Sequence, residues 1–470
     1  MSTTAASSTA TLLPPDAKPP KSKTASYYSI HPHWQDVVPI PQADQTGTLA
    51  AIAYSARYSE AMSYLRALMA EKEVSERALA LTEDLISMNP AHYTVWIYRM
   101  RTLRGLWTAS GNVSNAKVVE VQDEVTPTGD WTEEVDETLW DNIASELKWL
   151  DEVSFRNLKN YQIWHHRHAL ADLLPADPAS PTTSTSTSTP ASETKPQLST
   201  TLHQRLSTFI TSEQTFLAQI LSLDTKNYHV WSYRQWLCTR FPTFLLPSPP
   251  TPTSTLPSQP SIAPTYRTHT EVHAIDTMIH DDLRNNSAWS HRYFLLFGHH
   301  ELHHAQSRTP PLILKQVNDE RLLHAAGRVD TPLIHAEIAY TQTEIRKAPQ
   351  NGSSWNYLRG VLRHGAVAIT TLRAFCEEFL GPDGDLWTDQ WIDVEVEDAH
   401  TAEKRTEKQE LGVRSSHAVE WLSEIYGQDG ADGGVDRARE CLTALGEKWD
   451  VIRKGYWEWR VEKLEAGGTK

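Results

Sequence analysis

Cysteine is scarce in this sequence. Its 470 residues include only 3 cysteines, Cys238, Cys376 and Cys441, an odd number spread widely along the chain. Such a set forms neither a disulfide framework nor a zinc-binding cysteine cluster. We therefore expect no metal ligands on this chain, a reducing environment and a cytoplasmic location.

Long apolar runs and positive charge are also in short supply. The longest apolar stretches are far too short to span a bilayer, so we expect no membrane insertion. The opening MSTTAASSTATLLPP has no basic start followed by an apolar core, as a secretory signal would. The net charge of −15 argues against a general nucleic-acid-binding surface, although it leaves room for a local basic cavity.

Tryptophan, by contrast, is abundant, with 17 residues. Because this bulky ring must be packed somewhere, its positions are the natural place to look for a repeat. Five segments align without gaps: HYTVWIYR at 92–99, NYQIWHHR at 160–167, NYHVWSYR at 227–234, NNSAWSHR at 285–292 and NGSSWNYL at 351–358. They share Asn, usually Tyr, two variable residues, Trp, two more residues and then Arg. His92 replaces the Asn in the first copy, and Leu358 replaces the Arg in the fifth.

The shared pattern predicts the start of a helix. Asn at the N-cap satisfies an unpaired backbone N–H, and the Trp then falls about one turn inside. Trp and Arg three residues apart lie on one face, so the indole can pack inward while the guanidinium reaches a neighbouring element. Amphipathic stretches precede several copies, as at 81–88. The unit is therefore a helical hairpin, and we predict an all-α fold, a right-handed superhelix of TPR-like hairpins that stack into a solenoid.

The repeats are spaced more widely than a hairpin requires. Successive tryptophans are 58 to 68 residues apart, whereas a helical hairpin of this type takes about 34. We assign the surplus to loop insertions near 107–141, 175–200, 243–265, 305–333 and 381–409. Two Ser/Thr/Pro-rich stretches, 179–192 and 245–261, contain too few apolar residues to fold.

The remaining chain completes the predicted domain organisation. We predict a disordered tail over 1–28 and a single helical-repeat domain over 29–466. Beyond the fifth repeat, 366–380 and 415–426 are expected to be helical, and 436–464 is expected to hold the last helical hairpin.

The repeated NYxxWxxR pattern resembles the protein prenyltransferase α-subunit repeat. HWQDVVPIPQ (33–42) and AYSARYSEAMSYLRALM (53–69) resemble the N-terminal region of the α-subunit shared by farnesyltransferase and type I geranylgeranyltransferase. DVIRKGYWEW (450–459) resembles the closing helix of that subunit. The resemblance extends from about Trp34 to Trp459 outside the loops.

The resemblance implies an enzyme that is active only as an obligate heterodimer with a β-subunit. That β-subunit would bind the catalytic zinc and choose between farnesyl and geranylgeranyl diphosphate, and magnesium would accompany the diphosphate. The implied reaction alkylates the cysteine thiolate of a C-terminal CaaX sequence on a protein or peptide, and pyrophosphate leaves.

The resemblance also implies roles for six residues. Lys159 would meet the diphosphate as the catalytic residue, Tyr161, Tyr228 and His229 would lie near the isoprenoid diphosphate, and Gln162 and Tyr93 would bind the peptide. Taken without the resemblance, Lys159 is better explained as a solvated lysine on a turn, since Lys226 occupies the same place in the third repeat. Tyr93 could likewise pack the turn against the next repeat.

Residue types that recur in nearly every copy are predicted to serve the fold, because one active site would not require them in each repeat. They are Trp96, Trp164, Trp231, Trp289, Trp355, Asn160, Asn227, Arg167 and Arg234.

Three alternatives compete with this interpretation. The sequence His300–His304 matches the H-E-x-x-H motif of zinc proteases, but no third ligand is evident. A Rab geranylgeranyltransferase α-subunit shares the repeat, whereas the HWQDVVPIPQ segment favours the CaaX type. A helical-repeat scaffold without enzymatic work would have no need of Lys159 and Gln162.

Overall fold

The structure, a computed structural model, describes residues 28–42, 52–109, 137–175, 177, 200–246, 269–298, 331–388, 391–397, 404–410, 412–428 and 433–467. The chain divides into two compact units, Met1–Leu173 and Leu174–Lys470. The predicted tail up to residue 27, the stretches 179–192 and 247–261, and the His300–His304 motif lie outside the described residues.

The first unit consists of helices that pair as hairpins. Two short 3-10 helices, Tyr28–Ile30 and Pro32–Trp34, precede them. The helices are α1 Ala56–Ala70, α2 Glu76–Met88, α3 Tyr93–Ala109, α4 Glu137–Arg156 and α5 Tyr161–Ala171. α2 packs on α3 and α4 packs on α5, and α3 contacts α5 so that the two hairpins stack.

The second unit repeats the same hairpin. Its helices are α6 Thr200–Leu223, α7 Tyr228–Arg240, α8 Pro242–Leu245, α9 Thr270–Asp281, α10 Asn286–Tyr293, α11 Thr331–Lys347, α12 Gly352–His364, α13 Arg373–Glu377, α14 Ser416–Gln428, α15 Gly434–Ala444 and α16 Lys454–Gly467. A π-helix, Phe294–Gly298, extends α10, and another, Leu445–Trp449, extends α15. Short 3-10 helices lie at Ile369–Leu372, Pro382–Gly384 and Val451–Arg453.

The second helices of successive repeats form a continuous layer within this unit, because α7 contacts α10 and α10 contacts α12. The helical-hairpin repeat and the all-α class predicted from the sequence are confirmed, apart from one two-stranded ribbon. Among the helices of the described ranges, none combines the length and apolarity needed to cross a membrane.

The predicted loop over 381–409 is wrong in part. Strands β1 Trp391–Glu397 and β2 Lys404–Glu410 pair antiparallel, with Trp391 opposite Glu410 and Glu397 opposite Lys404. The sequence WIDVEVE alternates apolar and acidic residues with the period of a strand. Its acidic content suggested a loop, but the period of two decides the local structure.

The tail boundary also differs from the prediction by one residue. Tyr28 lies inside the folded unit, where its ring meets Trp34 edge-on at 5.1 Å between ring centroids. Its hydroxyl donates a hydrogen bond to Asp84 of α2. An aromatic ring with a satisfied hydroxyl is a stable anchor for a chain end. The first segment is therefore fixed to α1 and α2 from Tyr28 onward.

Candidate functional site

In four of the five repeats, the start of the second helix is fixed by the Asn of the motif. The Asn160 Oδ1 atom accepts a hydrogen bond from the Gln162 N–H at 2.9 Å, and Asn227 Oδ1 accepts one from the His229 N–H at 3.1 Å. Asn351 Oδ1 accepts one from the Ser353 N–H at 3.2 Å. Each Asn thus satisfies a donor that the helix itself leaves unpaired.

The motif tryptophans hold the turn that precedes this start. The indole Nε1–H groups of four of them donate to the carbonyl oxygen six residues earlier, at 2.8 to 2.9 Å. The pairs are Trp96 with Pro90, Trp231 with Thr225, Trp289 with Leu283 and Trp355 with Pro349. All five motif tryptophans are buried. The ring therefore fills the core while its one polar atom fixes the turn.

Motif arginines join successive repeats within each unit. Arg99 donates to both carboxylate oxygens of Glu146, at 2.6 and 2.7 Å, and Arg234 does the same to Glu271, at 2.5 and 3.1 Å. In each case the glutamate belongs to the first helix of the following repeat. Arg167 also pairs with Asp151 of its own hairpin at 2.6 Å. These bidentate contacts have the geometry for which the guanidinium is suited.

Sequence reasoning missed a further common position, two residues after each Trp. The repeat pattern leaves this position variable, yet it is a ring with a hydrogen-bonding atom in all five copies: Tyr98, His166, Tyr233, His291 and Tyr357. The Tyr98 hydroxyl donates to the Glu73 carbonyl oxygen, which precedes α2. The other rings bond the first helix of their own hairpin. Four of them bind a buried glutamate 20 residues earlier, at 2.6 to 3.1 Å. The alternation of Tyr and His could have revealed the position, because both supply a donor on an aromatic ring.

Burial and pairing together set the charges of these contacts. Burial alone would raise the pKa of Glu146, but hydrogen bonds from His166 and Arg99 outweigh it and lower that pKa to about 2. Burial lowers the pKa of His166 and of His291, and their glutamate partners only partly offset it. The imidazoles are therefore neutral, and Nε2 carries the proton donated to the ionised carboxylate.

Leu358, which replaces the arginine in the fifth copy, marks a change in the type of contact. It belongs to a buried apolar cluster with Trp355, Phe375, Phe379 and Trp421. The short α13 that follows contributes aromatic and thiol side chains to this cluster. A guanidinium here would face apolar side chains, which accounts for the leucine.

Four of the predicted site residues lie at helix starts of the first unit. Lys159 is exposed on the turn before α5, and Tyr161 and Gln162 are the first two residues of that helix. Tyr93 begins the neighbouring α3. The ring of Trp96, in the first turn of α3, lies 5.1 Å from that of His166, in the second turn of α5. These four side chains therefore lie at the same end of two packed helices.

The other two predicted site residues begin α7 in the second unit. Tyr228 is 66% exposed, much as Tyr93 and Tyr161 are at 60% and 62%. His229 is only 6% exposed, and its ring lies 3.9 Å from that of Tyr228. An exposed tyrosine thus begins the second helix in each of the first three repeats. In the third repeat, the ring of the buried His229 packs against that tyrosine.

A cluster in the second unit has the composition of a metal site. The ligand atoms of Cys238, Glu271 and His291 lie within 4.8 Å of one another. Burial raises the pKa of the Cys238 thiol, whereas a metal requires the thiolate. Both Glu271 oxygens are already bonded to Arg234, whose positive charge would repel a cation. The other repeats have Leu or Ala in place of the cysteine, so these residues fit a buried inter-repeat contact and not a metal centre.

Comparison with known proteins agrees with this geometry. A model of the protein prenyltransferase alpha subunit repeat matches residues 75–106, 143–174, 210–241, 268–298 and 334–365. Each match covers one of the five hairpins built around a motif Trp. The chain belongs to the protein prenyltransferase α-subunit repeat family.

Two curated relatives of the prenyltransferase α-subunit family and one solved structure define the similarity. The type-1 farnesyltransferase/geranylgeranyltransferase subunit alpha of Schizosaccharomyces pombe is 40% identical over 29% of this chain, but the match spans only 35% of that relative. The Candida albicans subunit of the same name is 28% identical over 92% of this chain and 97% of its own length. The Candida albicans protein geranylgeranyltransferase-I complexed with GGPP matches with a TM-score of 0.56 and 27% identity, over 92% of this chain and 98% of that chain.

Proposed function

We propose that this chain is the α-subunit of a CaaX protein prenyltransferase, which transfers a farnesyl or geranylgeranyl group from its diphosphate to the cysteine of a C-terminal CaaX sequence. The observation that carries the proposal is the similarity to a type-1 α-subunit over 97% of that relative's length. Its near-complete span favours this function over that of a Rab-type subunit. It works in the cytoplasm, as an obligate heterodimer with a β-subunit.

Lys159 is the residue that acts on the leaving group. Its turn is held by the Asn160 cap, so the exposed ammonium is presented from a fixed backbone. As the thiolate sulfur forms its bond to the allylic carbon, the bond from that carbon to the diphosphate oxygen breaks and negative charge grows on the diphosphate. A compact cation placed at that charge stabilises the transition state more than the ground state.

The other predicted site residues bind the two substrates. The exposed hydroxyl groups of Tyr161 and Tyr228 can donate to diphosphate oxygens, and the buried His229 supports the Tyr228 ring. The Gln162 amide donates to the terminal carboxylate of the peptide, and Tyr93 lines the peptide end. Gln162 and Tyr93 start packed helices, α5 and α3, so the two peptide contacts are held by rigid elements.

The metal ions implied for this reaction belong elsewhere in the heterodimer. The cluster of Cys238, Glu271 and His291 does not fit zinc, since Arg234 holds the carboxylate and the thiol is protonated. The sequence from 157 to 162, NLKNYQ, contains no carboxylate for magnesium. Zinc is therefore assigned to the β-subunit, and magnesium to the bound diphosphate.

The test of this function is reconstitution. The purified chain alone should transfer no isoprenoid to a CaaX peptide, whereas the chain co-expressed with its β-subunit should do so. Transfer by the chain alone would contradict the heterodimer requirement. Failure of every co-purifying partner to give transfer would contradict the function.

Lys159→Ala tests the site within that heterodimer. Loss of one electrostatic donor to a transition state lowers the rate of the chemical step by about 10²–10³. Single-turnover measurement should show this loss with normal heterodimer assembly and peptide binding. Lys226→Ala is the matched control, because Lys226 occupies the same place in the third repeat and lies 3.4 Å from Asp282. Equal and small effects of both variants would refute the assignment of Lys159.

A further inference from the structure

The turn that presents Tyr228 and His229 is held from two repeats. Its Thr225 carbonyl oxygen accepts a hydrogen bond from the Trp231 indole of its own hairpin at 2.9 Å. The same oxygen accepts a second hydrogen bond, at 3.3 Å, from the Asn285 Nδ2 atom of the next hairpin. One carbonyl three residues before Tyr228 therefore joins the third and fourth repeats.

The orientation of the Asn285 amide is determined by its other contacts. Asn285 is 1% exposed, and its Oδ1 atom accepts hydrogen bonds from the Ser287 and Ala288 N–H groups at 3.1 and 3.3 Å. Because Oδ1 is used as the cap of α10, Nδ2 must face Thr225. The salt bridge from Asp282 to Lys226, at 3.4 Å, is a second contact between the same two turns.

We propose that Asn285, in a repeat that carries no candidate site residue, is a positioning residue for the isoprenoid diphosphate. It acts through the Thr225 turn, which sets the direction in which Tyr228 leaves α7. This inference rests on the proposed function. A buried side-chain donor that bonds a backbone carbonyl fixes the position and orientation of the turn that contains this carbonyl. Small displacements of a side chain that binds a ligand weaken its contacts with that ligand.

The chain contains a matched control for this contact one repeat later. Asn351 caps α12 in the same way, and its Nδ2 donates to the Leu283 carbonyl oxygen at 2.5 Å. That oxygen also accepts the Trp289 indole N–H at 2.9 Å. The turn held by Asn351 carries Asn285, which is not itself a candidate site residue, so this contact lies one step further from Tyr228. Loss of the Asn351 contact therefore reports mainly the structural effect.

The experiment compares Asn285→Asp with Asn351→Asp in the reconstituted heterodimer. Aspartate keeps the cap oxygen, at a helix end that favours negative charge, but removes the Nδ2 donor. We expect Asn285→Asp to raise the Kd for farnesyl or geranylgeranyl diphosphate by about 3- to 10-fold, the usual value of one hydrogen bond. The KM for the CaaX peptide should be unchanged. Asn351→Asp should leave both constants unchanged, while the melting temperature falls to a similar extent in the two variants.

Equal effects of the two variants on diphosphate binding, or no effect of either, would overturn the positioning role. If the aspartate variants do not assemble, Asn285→Gly and Asn351→Gly give the same comparison, since glycine is tolerated at N-caps. Tyr228→Ala separates this inference from the site on which it rests. If Tyr228→Ala weakens diphosphate binding while the asparagine variants behave alike, only the inference fails. If Tyr228→Ala has no effect, the site assignment fails and the inference fails with it.

Discussion

The buried ion pair between Arg292 and Glu337 offers the most direct test of how the repeats are held together. It joins α10 to α11 through two hydrogen bonds of 2.8 Å, and both side chains are 0% exposed. Arg292→Met keeps most of the aliphatic volume but removes both guanidinium hydrogen bonds from a carboxylate that water cannot reach, which is left with the hydrogen bond from Tyr357. Removing one partner of a buried pair costs about 3–5 kcal/mol, because the remaining charge is neither solvated nor paired.

An exposed pair in the same unit provides the control. Arg346 binds Glu378 with the same two distances, 2.8 and 2.8 Å, but these side chains are 47% and 41% exposed. In water the carboxylate left by Arg346→Met is solvated, so the loss should be about 0–1 kcal/mol. The two ion pairs thus have the same hydrogen-bond lengths and differ in the burial of their side chains. The difference between the two variants measures the desolvation of the orphaned carboxylate.

Urea denaturation followed by far-UV circular dichroism at constant pH measures both losses on the same preparation. The double variant Arg292→Met/Glu337→Leu should regain much of the stability lost in Arg292→Met, since it removes the stranded charge. Losses of similar size at the buried and exposed pairs would refute the reasoning. So would a double variant that is less stable than Arg292→Met.

Three further predictions concern acid stability, the core and the insertions. Because folding lowers the pKa of Glu146 from 4.5 to about 2, its contribution is complete above pH 4.5 and is lost as pH falls towards 2. This contribution amounts to about 3 kcal/mol, and the pH dependence of urea denaturation should flatten in that window for Glu146→Gln. Leu358→Arg should destabilise the chain far more than Leu358→Met in the same assay, because the guanidinium would enter an apolar cluster. Deletion of 179–192 should leave heterodimer assembly and activity nearly intact, and loss of co-purification with the β-subunit would contradict this.

The hairpins could be predicted from the sequence because the signals that start each second helix are local. Asn227 caps a donor two residues away, and Trp231 bonds a carbonyl six residues back. Both contacts lie within one turn of the motif, so a pattern of eight residues contains nearly all the information. The identity of the repeat follows from the same short window.

The contacts between hairpins could not be predicted in this way. Three motif arginines pair with a glutamate that is distant in sequence, 47 residues away for Arg99, 37 for Arg234 and 45 for Arg292. The insertions between repeats vary in length, so no fixed spacing connects the partners. The two-stranded ribbon was missed for a different reason, since its acidic residues concealed the alternation of a strand.

The sequence motif located the candidate site residues along the chain, but it did not determine which of them reach a ligand. Lys159 and Lys226 have identical local sequence positions, and spacing could not separate them. Tyr228 and His229 are adjacent in sequence, yet the structure exposes one and buries the other. Adjacent residues at a helix start point to different sides, so a motif alone cannot say which of them reaches a ligand.

The chain continues its repeat contacts beyond the point where the motif ends. The Pro349 carbonyl oxygen accepts the Trp355 indole N–H at 2.8 Å and the Ser415 hydroxyl at 2.6 Å, as Thr225 accepts Trp231 and Asn285. Ser415 thus takes the part of the motif asparagine at the start of α14, although no NxxxW sequence is present there. A turn carbonyl with two donors defines the interface between hairpins more generally than the motif does. At Pro349 a single serine hydroxyl is enough to supply the second donor. We therefore expect the repeat to remain folded when Asn285 is altered, so that the effect of the change on the adjacent site can be measured separately from its effect on folding.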